Sequence, residues 1–176
     1  MLNPSGNGTM APHQPRGGGT LADSGYTRKF LVLIDDSPEC DRAVSFAAHR
    51  VKRTGGTLVL MSVIDSEDFG QFIGVADTMR AEARDEAERN LDKRIARIEQ
   101  IGQIRTESVI REGRPAEAIE AVVAGDPDIA ILVIAAGQGD KGPGPLVNYF
   151  VGHSRLHILV TIVPPAMTDE EIVGVA

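Results

Sequence analysis

Tryptophan is absent, cysteine occurs once, and aromatic residues make up only 4% of this 176-residue chain. One cysteine cannot close an intrachain disulfide, and no Cys/His cluster has the spacing of a zinc site. So few aromatic rings give no platform on which bases could stack. Positive charge is also short: 18 Lys and Arg against 25 Asp and Glu leave a net charge of −7. The nearest basic clusters, residues 49–53 and 93–97, are interleaved with apolar residues, so nucleic acid is not an expected partner. No apolar run approaches the length of a membrane span, and the first residues lack the apolar block of a secretory signal. The expected location is therefore the cytoplasm, with no membrane partner.

What the chain does have is concentrated at residues 129–144, IAILVIAAGQGDKGPG. An unbroken apolar run reads as a strand buried on both faces, and the glycines that follow allow backbone N–H groups to crowd a ligand. Strand, glycine loop and helix in succession is a common way to hold phosphate.

Residues 1–27 are rich in Gly, Pro, Ser and Asn without apolar periodicity, and are expected to be a disordered tail. Residues 28–165 read as one domain, and 166–176 as a C-terminal tail with a short helix. The domain opens with a strand at 30–34 that ends in Asp35-Asp36-Ser37. Ser37 is a suitable N-cap and Pro38 a suitable first residue for a helix to about 53, with Cys40, Val44, Ala47, Ala48 and Val51 inward. A second buried strand covers 57–64. A long amphipathic helix from about 74 to 99 has Ala76, Met79, Ala83, Ala87, Leu91, Ile95 and Ile98 on one face. With fewer than four heptads it is better read as lying on a sheet than as a coiled coil. A third, more polar strand at 104–110 belongs at an edge. A helix at 115–124, the strand at 129–134, a helix from 145 to about 156 and a strand at 158–163 complete the domain. Thr168 to Glu171 has the pattern of a capping box.

Strands alternating with helices predict an α/β fold: a three-layer, Rossmann-like α/β/α sandwich with a five-stranded parallel sheet. The most apolar strands belong at the centre, which gives the order 3-2-1-4-5. The switch point then falls between strands one and four, with Asp35-Asp36-Ser37 facing the glycine loop across one cleft.

In that frame the sequence resembles the universal stress protein family over roughly residues 29–163. Residues 30–37 are similar to the family's "ILVAVDGS", residues 58–65 to "LVLLHVVD", and Gly113-Arg114-Pro115-Ala116 to "G-x-P-A". The resemblance implies the fold just described, homodimers formed through strand five, and, in the ATP-binding branch, Asp35 and Val63 around an adenine. It also implies a triphosphate loop of the form G-x2-G-x9-G-[ST], and here the chain departs. Gly139, Gly142 and Gly152 fit the glycine spacing, but His153 then takes the hydroxyl position and no room is left for the following helix. Alignment on the strands puts Ala135 at the first glycine and Gly144-Pro145 at the final Gly-Ser, with a shorter loop between. Asp36 also replaces a glycine. Two adjacent carboxylates repel a triphosphate, so either Mg²⁺ bridges them, or the ligand is not a triphosphate, or the site is empty.

Other motifs carry less. Gly137-x-Gly139-x-x-Gly142 has dinucleotide spacing, but it follows the fourth strand, and Pro143 and Pro145 prevent a helix from opening at its last glycine. A Walker A loop fails because Pro143 follows Gly142. The loop could still take an anion through the N–H groups of Leu146 and Val147, assisted by Lys141, or it could be only a rigid turn. Cys40 reads as a small buried residue rather than a reactive thiol. His153 and His157, without acidic or cysteine partners, read as surface or interface residues. No nucleophile–base–acid set exists and Ser37 has no histidine, so neither catalytic nor metal-ligating residues are assigned. The candidate binding residues are Asp35, Asp36, Ser37, Val63, Ala135, Gly137, Gly139, Gly142, Gly144 and Leu146. The expected function is a regulatory homodimer that binds a small anionic ligand, with an adenine nucleotide such as ATP with Mg²⁺ as the candidate. The alternatives are a dimeric interaction module without nucleotide and a slow Mg²⁺-dependent nucleotide hydrolase. The protein partners are not named by the sequence.

Overall fold

A computed structural model describes residues 27–65, 76–138, 142–152 and 155–176. The expected N-terminal tail, except for its last residue, lies outside the described residues, as do Gly139, Lys141 and His153. Five parallel strands, β1 (Lys29–Ile34), β2 (Thr57–Ile64), β3 (Arg105–Glu112), β4 (Ile129–Ala135) and β5 (Leu159–Val163), form one sheet in the order β3-β2-β1-β4-β5. The expected order holds, with the polar β3 at one edge.

Alternation of side chains along each strand builds two cores, one per face. Phe30, Val32, Ile34, Leu58 and Leu60 face α1 (Cys40–Thr54), α2 (Ala76–Ile101) and α5 (Asp169–Val175). Leu31, Val59, Met61, Leu132 and Ile134 face α3 (Pro115–Gly125) and α4 (Pro145–Gly152). The inner stripe of α1 is as expected: Cys40, Val44, Ala47, Ala48 and Val51 are buried. Burial raises the Cys40 thiol pKa above its ordinary value, which favours the neutral, unreactive form.

Helix α2 rises about 39 Å over its 26 residues, longer than any strand it could cover. Ala87, Leu91 and Ile98 reach the core, whereas Met79 and Ala83 are only half-buried. Arg94 is drawn into the same face because Asp41 of α1 meets it at 3.0 Å, and Arg97 pairs with the other oxygen of Asp41 at 2.6 Å. The capping box forms as its pattern predicts: the Glu171 N–H donates to Thr168 Oγ1 at 3.3 Å and the Thr168 N–H to Glu171 Oε2 at 2.9 Å. The expected short helix runs over seven residues, with Ile172 fully buried in the core that α1 shares. Helix α4 ends at Gly152, short of the expected 156.

At the amino ends of the strands, Lys29 bridges Glu107 of β3 at 2.7 Å and Asp126 of the α3–β4 turn at 2.9 Å. Hydrogen bonds to these two carboxylates raise the Lys29 pKa above its ordinary value. A raised folded-state pKa contributes stability that is complete below the unfolded lysine pKa and is lost as pH rises through the folded one. We expect Lys29→Met to cost about 1 kcal/mol at pH 7. In denaturant titrations, wild-type and variant stabilities should converge as pH rises through the folded-state lysine pKa, and a difference that persists once the lysine is neutral would contradict the assignment.

Candidate functional site

The carboxyl ends of β1 and β2 meet the amino ends of α3 and α4 around a cavity of about 490 Å³. Leu33, Ile34, Val63, Pro115, Ala116, Pro145 and Leu146 supply apolar walls, and Asp35, Asp65, Arg114 and Tyr149 the polar groups. Small-molecule sites have this make-up, apolar walls with a few convergent polar groups, and fall in this size range. Pro115 and Pro145 are the first residues of their helices, the position where proline's missing N–H costs nothing. Two helix amino ends, each carrying partial positive charge, therefore open on one cavity.

The turn after β1 sets Asp35. Its Oδ1 accepts the Ser37 N–H at 2.9 Å and the Ser37 hydroxyl at 2.5 Å, a side-chain turn typical of aspartate. This corrects the expected cap. Ser37 points back to Asp35, α1 starts at Cys40, and Glu39 occupies the N-cap without a side-chain cap bond. The adjacent carboxylates also part company. Asp36 accepts a hydrogen bond from Asn90 of α2 at 2.8 Å. It lines a separate cavity of about 270 Å³ together with Asp35, Asp65, Glu86 and Asn90. Asp35 and Val63 border both cavities, whereas Asp36 borders only the one under α2. The expected carboxylate pair therefore faces the cavity under α2, and Asp35 alone of the two also reaches the larger one. Among the described residues, no group of three or more His, Cys, Asp or Glu side chains is placed to hold a metal ion.

The described glycines of the loop, Gly137, Gly142 and Gly144, do not line the cavity. Ala135 ends β4, and the next residue, Ala136, donates to the Val163 carbonyl at 2.9 Å and accepts from Arg42 of α1 at 3.0 Å. The Gly137 N–H donates to the Pro143 carbonyl at 3.0 Å, which closes the loop on itself. Gly142 and Gly144 adopt φ of +79° and +104°, conformations that explain the glycines as turn residues. Among the described residues from 135 to 146, Pro145 and Leu146, just past the loop, reach the cavity wall. Gly139 and Lys141 lie outside the described residues.

Of the candidate residues, Asp35, Val63 and Leu146 are brought together at the larger cavity. Arg114, Pro115, Ala116 and Tyr149 were not among them. The motif Gly113-Arg114-Pro115-Ala116 could have pointed to the first three, and Tyr149 sits one helical turn after Pro145. The Tyr149 hydroxyl donates to Glu120 Oε1 at 3.1 Å, and this bond raises its pKa and keeps the phenol protonated.

Known proteins can now be set beside this geometry. A profile of the universal stress protein family matches residues 27–160. The chain belongs to the universal stress protein family. Among curated proteins none matches it. Among solved structures, the universal stress protein UspA from Lactobacillus plantarum is 20% identical, with a TM-score of 0.65 over 78% of this chain and 97% of that one. A universal stress family protein from Burkholderia pseudomallei is also 20% identical, with a TM-score of 0.62 over 80% of this chain and 98% of that one. One from Arabidopsis thaliana, solved with AMP bound, is 19% identical, with a TM-score of 0.58 over 81% of this chain and 94% of that one. These likenesses support the fold of this universal stress protein, a parallel sheet wound in the order read above.

Proposed function

We propose that this universal stress protein is a regulatory protein that binds a small anionic ligand of the adenine-nucleotide class in the cavity at the ends of β1 and β2. The reading is carried by the convergence of two helix amino ends and Arg114 on a pocket whose other walls are apolar apart from Asp35, Asp65 and Tyr149. An aromatic base would lie against Val63, Leu33 and Ala116, within reach of Asp35. The phosphate would face the first turns of α3 and α4. The AMP held by the Arabidopsis relative is a ligand of this kind. Binding without turnover belongs to this reading: Asp35 accepts two hydrogen bonds from Ser37, and Asp36 accepts one from Asn90.

A second element of the reading is a homodimer through β5. Leu159 of β5 is 70% exposed and Val151 at the end of α4 is 71% exposed. An apolar edge of this kind favours pairing with a second copy. The same surface would serve an interaction module that works without nucleotide in the cytoplasm. Calorimetric titration with AMP separates the two readings. Saturable binding at one site per chain supports the nucleotide reading, and no heat of binding at millimolar AMP removes it.

A further inference from the structure

The smaller cavity, under α2, is surrounded by negative charge. Asp35 and Asp36 at the end of β1, Asp65 after β2 and Glu86 of α2 all line it, and among the described residues no Lys or Arg does. Asp35, Asp36 and Glu86 are exposed at its rim. Among the described residues none of these three is in an ion pair. Arg94 of α2 approaches Asp35, but it donates to the main-chain carbonyl, at 3.5 Å, and pairs with Asp41 at 3.0 Å.

The floor of the cavity carries a second, independent feature. Ser62 shares the face of β2 that Leu58 and Leu60 turn towards α1 and α2. It is only 7% exposed and lines the cavity, and its hydroxyl makes no hydrogen bond among the described residues. A buried hydroxyl without a partner is unfavourable, and a donor that reaches the floor would satisfy it. Around Ser62, buried Ile34, Ile64 and Ala87 supply apolar wall.

We infer that this cavity binds a small linear organic dication, an alkyl diamine. An ammonium group donates to the Ser62 hydroxyl and to carboxylates of the rim, while the methylene chain lies on the apolar wall. The inference goes beyond the nucleotide reading of the larger cavity and does not rest on it. A bare metal ion does not suit the donor set, because among the described residues no three of these side chains are placed to hold one. An ammonium needs no closed shell: its N–H groups reach separate acceptors, and bonds to carboxylates are charge-assisted. Two ammonium groups answer a rim of three carboxylates without cationic partners, and a cavity of about 270 Å³ has room for the chain that joins them.

The test is calorimetric titration of the full chain with diaminobutane at low ionic strength, beside butylamine, butanediol and Mg²⁺, repeated on Ser62→Ala, Asp36→Asn and Glu86→Gln. Wild-type protein is expected to bind one diaminobutane per chain, at least about tenfold more tightly than butylamine, and to leave butanediol unbound. Each variant should weaken diaminobutane at least about threefold. All three should fold as the wild type does, since two of the side chains are exposed and the third loses a hydroxyl that has no partner. Unchanged affinity in Ser62→Ala would reduce the binding to general attraction by a negative surface and overturn the site. Unchanged affinity in both carboxylate variants would overturn it equally. Mg²⁺ binding tighter than that of diaminobutane, and lost in Glu86→Gln, would make the site a metal centre and contradict the inference. So would the lack of any saturable binding at millimolar diaminobutane.

Discussion

Replacement of Ile172 by alanine is expected to cost about 3 kcal/mol of unfolding free energy, within the roughly 2–5 kcal/mol usual for a buried isoleucine. Ile172 lies in the last helix, yet it is fully buried in the same core as Phe30 of β1 and Ala47 of α1. The helix is held at both ends. Thr168 and Glu171 close its amino end, and Arg53 of α1 donates to the carbonyls of Val173 and Ala176, both at 2.7 Å. A cavity left by the truncation cannot collapse easily, because the helix is tethered on either side of it. Urea unfolding followed by far-UV circular dichroism measures the effect. A loss under about 1 kcal/mol would mean that α5 is docked too loosely to belong to the domain.

The second large effect concerns the cleft. AMP at a hundred times its dissociation constant should stabilise the native protein by about 2.7 kcal/mol. For a domain of this size that is a rise in Tm of roughly 5–11 °C. Ala116→Trp places an indole in the wall formed by the first turn of α3. It should abolish the shift by lowering AMP affinity at least about a hundredfold, since displacing a bound base removes most of the contact area. The unliganded Tm of the variant should move little, because Ala116 is only half-buried at the cavity edge. A Tm shift equal to that of the wild type would place the ligand elsewhere.

The fold was legible because its signals are local and repeated. The runs FLVLI, TLVLMSVI and IAILVIA are apolar without alternation, which only a strand covered on both faces explains. The polar residues of β3 gave its edge position, and that fixed the strand order. The site was less legible, for a physical reason. Sequence patterns advertise glycine loops, but a glycine's role depends on what comes to rest against it. Nothing in the spacing of Gly137 announces that Glu39, almost a hundred positions away, fills the space beside it. Nor does the pair Asp35-Asp36 announce that Asn90 draws one carboxylate to the other side of β1. Ser37 was misassigned as a cap because a nearer acceptor, the Asp35 carboxylate, competes for its hydroxyl. Conversely, Arg114 and Tyr149 come to the cavity from separate helices, and only tertiary packing unites them.

The central claim is that the cavity between the ends of β1 and β2 and the first turns of α3 and α4 is where a nucleotide binds. Titration of isotopically labelled protein with AMP, followed amide by amide in a two-dimensional NMR spectrum, tests it most directly. The largest shifts are predicted at Leu33, Asp35, Val63, Ala116, Leu146 and Tyr149, saturating together with one dissociation constant. Shifts confined to the groove between α2 and β3, around Leu91 and Val109, or no shifts at all at millimolar AMP, would contradict it.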